Sequence, residues 1–200
     1  MISIDYKNYI YFLTSSFLIL SCGLFESNSD NSIPSFTVYV ALQGLDQVGI
    51  VDTGTGEMVA IDINFENMEM AEMDEMNMGD HTPHFVAIDA MNSYWFVTTI
   101  MSGYVGRFNL ETNELIDKIA VGNLPALIVL NESNRKLYVS RMMPMEGMMG
   151  TESTVVQEID YSNLETMTIS NEFIIGSPAP HGLGINSDGS EVYVASNTAD

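Results

Sequence analysis

The chain has 200 residues, about the length of one domain. Hydrophobic residues make up 46% and charged residues 16% of it, which is a globular composition. Six Lys and Arg stand against 27 Asp and Glu, so the formal net charge is −21. This balance argues against nucleic acid as a partner and against docking on anionic lipid, because both need a basic surface. The single cysteine excludes a disulfide framework and a Cys-rich zinc site.

Residues 1–21 are predicted to be an export signal. Lys7 is the only basic residue there, and the apolar stretch 9–20 is too short to span a bilayer as a helix. The stretch ends at Leu20-Ser21-Cys22-Gly23, which resembles the bacterial lipobox, in which the cysteine becomes the lipidated first residue of the mature protein. The resemblance implies a lipoprotein of the cell envelope, anchored to the membrane through Cys22 and facing the periplasm or the exterior. Residues 22–35 then form a flexible polar tether. A plain secretory signal followed by an unrelated cysteine is the alternative.

The remainder of the chain repeats a short β-type core four times, with spacings of 57, 42 and 55 residues. Short β-branched and aromatic runs between turn clusters are typical of strands. Self-similarity near 42 residues, with four strands in each unit, predicts propeller blades. The four cores are VYVA at 38–41, WFVT at 95–98, LYVS at 137–140 and VYVA at 192–195.

Three further segments carry a family resemblance: PHGLGINSDG at 180–189, VDTGTGEMVA at 51–60 and KIAVG at 118–122. They resemble the YVTN-type β-propeller repeat family, and the likeness covers residues 36–200. The resemblance implies an all-β fold made of four-stranded antiparallel blades. It implies no particular activity, because propellers of this kind have many functions.

The repeat also predicts the strands of each blade, labelled A (innermost) to D (outermost). Blade 1 begins with strand B near Thr37, and its strands C and D end at Asp52 and Ile63. Blade 4 holds strands A and B, so about 3.5 blades are present where closed propellers hold roughly four to eight. We therefore expect an incomplete propeller, with strand A of blade 1 supplied from further along the chain. Predicted strands are 84–89, 94–99, 104–109 and 115–120 in blade 2, and 125–130, 136–140, 154–160 and 167–175 in blade 3.

Two insertions lengthen the repeat, at 64–82 between blades 1 and 2 and at 141–153 between strands B and C of blade 3. Four antiparallel strands return the chain to its starting face, so D–A loops and B–C loops open on the same face. Both insertions should therefore share one rim with His84 and His181 at the starts of inner strands, and with His81 just before. The insertions hold ten of the 15 methionines: Met68, Met70, Met73, Met76, Met78, Met142, Met143, Met145, Met148 and Met149.

Thioether sulfur is a soft ligand, and repeated Met near His suits Cu(I) better than Zn, Mg or Ca. The predicted metal ligands are Met68, Met70, Met73, Met76, Met78, His81, His84 and His181. Other interpretations stay open. A Met-rich loop can simply pack or contact a partner protein. Methionines 70, 73 and 76 can form the apolar stripe of one short helix, and the Pro-His pairs can be a structural part of the repeat.

No recognised catalytic motif is present: there is no P-loop, no dinucleotide-binding glycine motif and no nucleophile elbow. Asp52, Asp160 and Asp188 are predicted to be turn residues. Arg107 and Arg141 are expected to be solvated surface residues rather than ligands for an anion. The sequence therefore favours a lipid-anchored scaffold that binds a small molecule or a protein at the propeller rim. The alternative is a propeller enzyme, lactonase-like or redox and metal-dependent, whose active site is completed by further blades.

Overall fold

The computed structural model describes residues 35–65, 81–122, 124–141, 155–177 and 179–197. These residues form thirteen strands in four antiparallel sheets, with single-turn 3-10 helices at Gln43–Leu45 and Glu132–Asn134. Within these ranges no helix is long and apolar enough to cross a membrane. The strands are β1 (Thr37–Leu42), β2 (Gln47–Asp52), β3 (Met58–Asp62), β4 (Pro83–Asp89), β5 (Tyr94–Thr99), β6 (Tyr104–Asn109), β7 (Leu115–Ala120), β8 (Pro125–Asn131), β9 (Lys136–Arg141), β10 (Val155–Asp160), β11 (Thr168–Ile174), β12 (Pro180–Ile185) and β13 (Val192–Ser196).

Each sheet is a meander in which strands that follow one another in sequence pair with one another. Blade 1 contains β1 to β3, blade 2 contains β4 to β7, blade 3 contains β8 to β11, and blade 4 contains β12 and β13. The inner strands of successive blades are neighbours, because β4 contacts β8 and β8 contacts β12. The all-β class and the four-stranded antiparallel blades are thus confirmed. The observed strand bounds lie within a residue or two of the predicted ones.

Each blade interface is filled from both sides, because successive residues of a strand point to opposite faces of its sheet. In β5, Trp95 and Val97 belong to the core shared with blade 1, whereas Phe96 belongs to the core shared with blade 3. The Trp95 ring stacks on Phe108 with 4.0 Å between ring centroids. A single sheet therefore has no core of its own, and neighbouring blades stabilise one another.

A hydroxyl group at the end of strand B joins neighbouring blades. The Thr98 hydroxyl donates to the Ala126 carbonyl of blade 3 at 2.8 Å and accepts from the Phe85 N–H of its own blade at 3.1 Å. Ser140, at the same position of blade 3, donates to the His181 carbonyl of blade 4 at 2.7 Å. Both hydroxyl residues are fully buried. These bonds give hydrogen-bond partners to backbone carbonyl and N–H groups of the inner strands at the points where the strand register shifts.

The three predicted turn aspartates do accept hydrogen bonds from the backbone of their turns. Asp52 accepts from Gly54 at 2.7 Å, Asp160 from Ser162 at 2.8 Å and Asp188 from Ser190 at 2.9 Å. Asp160 also receives a hydrogen bond of 2.8 Å from the Lys136 ammonium. This bond and the turn hydrogen bonds lower the pKa of Asp160 to about 2. Asp160 therefore joins the C–D turn of blade 3 to strand B of the same blade.

Arg107 is not the solvated surface residue that the sequence led us to expect. Its side chain is fully buried, and its Nε lies 2.7 Å from the carboxylate of Asp117. The other guanidinium nitrogens donate to three backbone carbonyls of blade 3, those of Tyr161, Asn163 and Leu164. The prediction was wrong because β6 is strand C, paired on both edges within its sheet, and position 107 faces the neighbouring blade. Carbonyl groups of that blade replace water around the charge.

Replacing Arg107 should destabilise the fold strongly. Arg107→Met removes the guanidinium from the Asp117 carboxylate and from three carbonyls, and we expect the free energy of unfolding to fall by about 3–5 kcal/mol. Equilibrium unfolding in urea measures this. The control is Arg135→Met, which removes an exposed guanidinium that donates to Asn92, with an expected cost of at most about 0.5 kcal/mol. Equal effects of the two substitutions would contradict the structural role of Arg107.

Candidate functional site

One face of the blade array gathers the flanks of both insertions; we call it the insertion face. The β5–β6 loop meets the start of β4 here, because the Ile100 N–H donates to the Thr82 carbonyl at 3.0 Å. The same loop meets the end of β7 through a bond from the Val121 N–H to the Gly103 carbonyl at 2.9 Å. Arg141, the first residue of the second insertion, is half-buried beside Gly122. Loops that join strands D to A and strands B to C therefore meet on the insertion face.

Two histidines of different blades meet on this face. His84 is the second residue of β4 and His181 is the second residue of β12. Their ring centroids lie 6.3 Å apart, with the ring planes inclined by 70°. The equivalent position in β8, between them, is Ala126. A methyl group there occupies far less space than an imidazole, so the two rings can approach each other across blade 3.

The side chain of Gln43 orients His84. Gln43 lies in the β1–β2 turn, and its amide nitrogen is 2.6 Å from Nδ1 of His84. Burial of the ring lowers the pKa of His84, and the neighbouring His181 lowers it further. The His84 imidazole is therefore neutral at pH 7. A neutral, oriented imidazole is the form that binds metal ions and accepts protons.

The two ends of the first insertion are held together by Asp46. Its carboxylate accepts hydrogen bonds from the N–H groups of His81 at 3.0 Å and Thr82 at 2.7 Å, on the C-terminal side of the insertion. Its carbonyl accepts from the Ile63 N–H at 2.7 Å, on the N-terminal side. Asp46 has a left-handed backbone conformation, with φ of 50°, which Asp adopts more readily than most residues. One residue thus closes the base of a long insertion.

His81 lies in this base, where its ring is buried against Phe65. The ring centroids are 5.1 Å apart, and Nε2 of His81 accepts a hydrogen bond of 3.3 Å from the Phe65 N–H. Metal binding through Nε2 would break that bond. Of the three predicted histidine ligands, the structure brings His84 and His181 together and places His81 in the loop base.

The predicted methionine ligands lie outside the described residues, as does Cys22. Within the part of the chain that the structure describes, no group of three or more His, Cys, Asp or Glu side chains could hold a metal ion. The methionines of this prediction are Met68, Met70, Met73, Met76 and Met78, with Met142, Met143, Met145, Met148 and Met149 in the second insertion.

Sequence reasoning missed Gln43 and Asp46. Both belong to the β1–β2 turn, which is a B–C loop in the blade register and therefore opens on the insertion face. The strand parity that predicted the common face for the insertions applies equally to this turn. That signal was available in the sequence, but a short polar turn without histidine or methionine did not stand out.

Asp46 can be tested by its effect on stability. Asp46→Ala removes the acceptor of two backbone N–H groups and places a residue with a Cβ but no polar side chain in a left-handed conformation. We expect the free energy of unfolding to fall by about 1–3 kcal/mol. Asp46→Asn keeps an accepting oxygen and tolerates this conformation, so it should cost less than about 1 kcal/mol. Urea unfolding of both variants measures the difference. Equal losses of unfolding free energy in the two variants would contradict the role of the Asp46 side chain in holding the ends of the insertion together.

Comparison with solved structures agrees with the fold. The chain is similar to hydrazine synthase of Kuenenia stuttgartiensis, with a TM-score of 0.62, 16% identity and coverage of 82% of this chain and 40% of that one. It is similar to the Cps50 (Swd1) β-propeller domain of Myceliophteria thermophila, with a TM-score of 0.56, 15% identity and coverage of 81% and 50%. It is also similar to streptogramin B lyase, with a TM-score of 0.55, 10% identity and coverage of 82% and 49%.

These likenesses support a β-propeller and show the fold alone. The chain spans between 40% and 50% of the length of these three proteins. No protein-family model matches the sequence, and no curated protein matches it. The architecture is therefore a β-propeller, and its membership of the YVTN repeat family stays a prediction.

Proposed function

We propose that this protein is an exported, lipid-anchored β-propeller that binds a ligand or partner on its insertion face. The observation that carries the proposal is the meeting of His84 and His181, from blades 2 and 4, at 6.3 Å between ring centroids. Histidines of two blades converge there beside the bases of two long insertions, on a rigid framework of strands. Binding residues are often placed in this way, on loops that a scaffold holds in position.

The ligand class that the residues favour is a soft monovalent metal ion, Cu(I). Its ligands would be the methionines of the first insertion, with His81, His84 and His181 as nearby imidazoles and methionines 142–149 as a second lobe. Thioether groups carry no proton at neutral pH, so they bind metal without first losing one. The acidic residues of the same insertion raise the local cation concentration without selecting copper. These residues are Glu66, Glu69, Glu72, Asp74 and Glu75.

Copper binding is tested by a competition titration of the mature protein with Cu(I) against a chromogenic chelator. Changing Met68, Met70, Met73, Met76 and Met78 together to Leu keeps the apolar volume and removes the sulfur atoms. We expect the affinity for Cu(I) to fall at least about tenfold. The matched control changes Met58 and Met91 to Leu, which are exposed and lie outside both insertions. An unchanged affinity for Cu(I) in the five-residue variant would contradict copper binding by these methionines. They would then serve in packing or in contact with a partner protein.

The lipid anchor is tested at Cys22. Cys22→Ala removes the thiol that would carry the acyl chains, so the protein should fail to mature or should leave the membrane fraction. Globomycin, which inhibits the lipoprotein signal peptidase, should block maturation of the wild type in the same way. The control is Ser27→Ala, in the predicted tether, which should mature and stay in the membrane fraction as the wild type does. Normal processing and membrane retention of Cys22→Ala would refute the anchor.

An enzyme is the alternative function, and the geometry of His84 is the observation that favours it. A neutral imidazole with a lowered pKa, oriented by an amide, can act as a general base. The reaction would be lactonase-like or redox, with the remaining catalytic groups supplied by further blades. A lactone hydrolysis that His84→Asn abolishes, with metal binding unaffected, would favour the enzyme over the binding module.

A further inference from the structure

We infer that His84 and His181, oriented by Gln43, form a site for one divalent first-row transition-metal ion such as Zn²⁺ or Cu²⁺. The inference rests on the proposed function in placing a ligand on the insertion face, but it does not need the methionines. Imidazole nitrogen suits exactly this class of ion, whereas thioether sulfur selects Cu(I).

The separation of the two rings fits a shared ion. Imidazole nitrogen binds such metals at about 2.0–2.1 Å, which places the centroids of two rings on one ion roughly 4.5–6.5 Å apart. The lower value corresponds to a right angle at the metal and the upper value to a straight line. The observed 6.3 Å lies close to the straight-line value, so it matches two imidazoles in opposite positions of a tetragonal ion such as Cu²⁺. Tetrahedral Zn²⁺ needs centroids roughly 5 Å apart, which the two half-buried rings reach by rotating toward each other. The rings are inclined by 70°, so they do not stack face to face.

Both histidines stand on well-held backbone. The carbonyl of His181 accepts the buried hydroxyl of Ser140 at 2.7 Å. Thr82, two residues before His84, donates its N–H to the Asp46 carboxylate at 2.7 Å. Each histidine also directly follows a proline at the start of its strand, and proline fixes φ. The two ligands therefore come from rigid inner strands of different blades, which reduces the entropy lost when a metal binds.

Gln43 supplies the support that metal-binding histidines usually have. Its amide group lies 2.6 Å from Nδ1 of His84. The amide can present either its oxygen or its nitrogen to the ring, since the two differ by a flip of the group. With the oxygen facing Nδ1, that nitrogen carries the proton and donates it, and Nε2 keeps its lone pair for the metal.

Two protein ligands leave the other coordination positions of the ion to water or to a further ligand. Open coordination positions are where a bound metal ion takes up water or substrate. The ion would join blades 2 and 4 across the inner strand of blade 3. This makes the metal a candidate element of recognition on the insertion face.

The experiment titrates the mature protein with Zn²⁺ alone, followed by calorimetry, and with Cu²⁺ followed by electron paramagnetic resonance. We expect one tight equivalent of Zn²⁺ and nitrogen hyperfine structure from two imidazoles with Cu²⁺. His84→Asn and His181→Asn should each weaken Zn²⁺ binding at least about tenfold. Gln43→Leu should weaken it by about tenfold or more, whereas Gln43→Glu, which keeps an accepting oxygen, should restore it.

The variant with five methionines changed to Leu separates this inference from the proposed copper site. It should bind Zn²⁺ as the wild type does, even if it loses Cu(I). Wild-type Zn²⁺ binding in both histidine variants would overturn the inference, because the ion would then sit on surface carboxylates. A loss of Zn²⁺ in the methionine variant alone would overturn it as well. Imidazole proton resonances of wild-type protein give a test without substitution: Zn²⁺ must shift the signals of two histidines together.

Discussion

The structure depends on the burial of both faces of the blade 2 sheet against blades 1 and 3. This sheet on its own would expose apolar side chains on both faces to water, and the two neighbouring blades cover both faces at once. Trp95 and Val97 complete the core with blade 1, and Phe96 completes the core with blade 3. Because apolar contacts have little directional preference, they bring the blades together without fixing the position of one blade relative to the next.

Directional polar contacts supply what apolar packing lacks. The hydroxyl groups of Thr98 and Ser140 each bind one carbonyl of the next inner strand, which sets the height of that strand relative to its neighbour. Arg107 does the same farther from the centre, where its guanidinium contacts three carbonyls of blade 3. A buried guanidinium tolerates few alternative positions, because any shift leaves a charge without partners. Polar contacts thus determine the alignment of blades that hydrophobic packing holds together.

This alignment determines what the insertion face can do. Inner strands that are held at fixed heights place the second residue of each at an equivalent position around the array, so His84, Ala126 and His181 follow one another there. In these positions two half-buried imidazoles flank one buried methyl group. The β1–β2 turn adds Gln43 and Asp46 to the same region, one beside His84 and one beneath the first insertion. Binding residues in proteins often lie at strand ends and in loops, which the packed strands hold in position.

The sequence by itself determined the strands, their grouping into blades and the face on which loops open. Repeated β-type cores and turn residues specify strands locally. The face on which a loop opens follows from the number of antiparallel strands before it, and this count needs no knowledge of distances between residues. This is why Asp52, Asp160 and Asp188 were recognised as turn residues. Only the tertiary structure decided which side chains meet. Arginine is a charged residue type that usually lies on the surface. Arg107 is buried because carbonyl groups of a neighbouring blade, more than 50 positions away in sequence, accept its hydrogen bonds. The approach of His84 to His181 depends likewise on how three inner strands pack side by side, which no local sequence pattern contains.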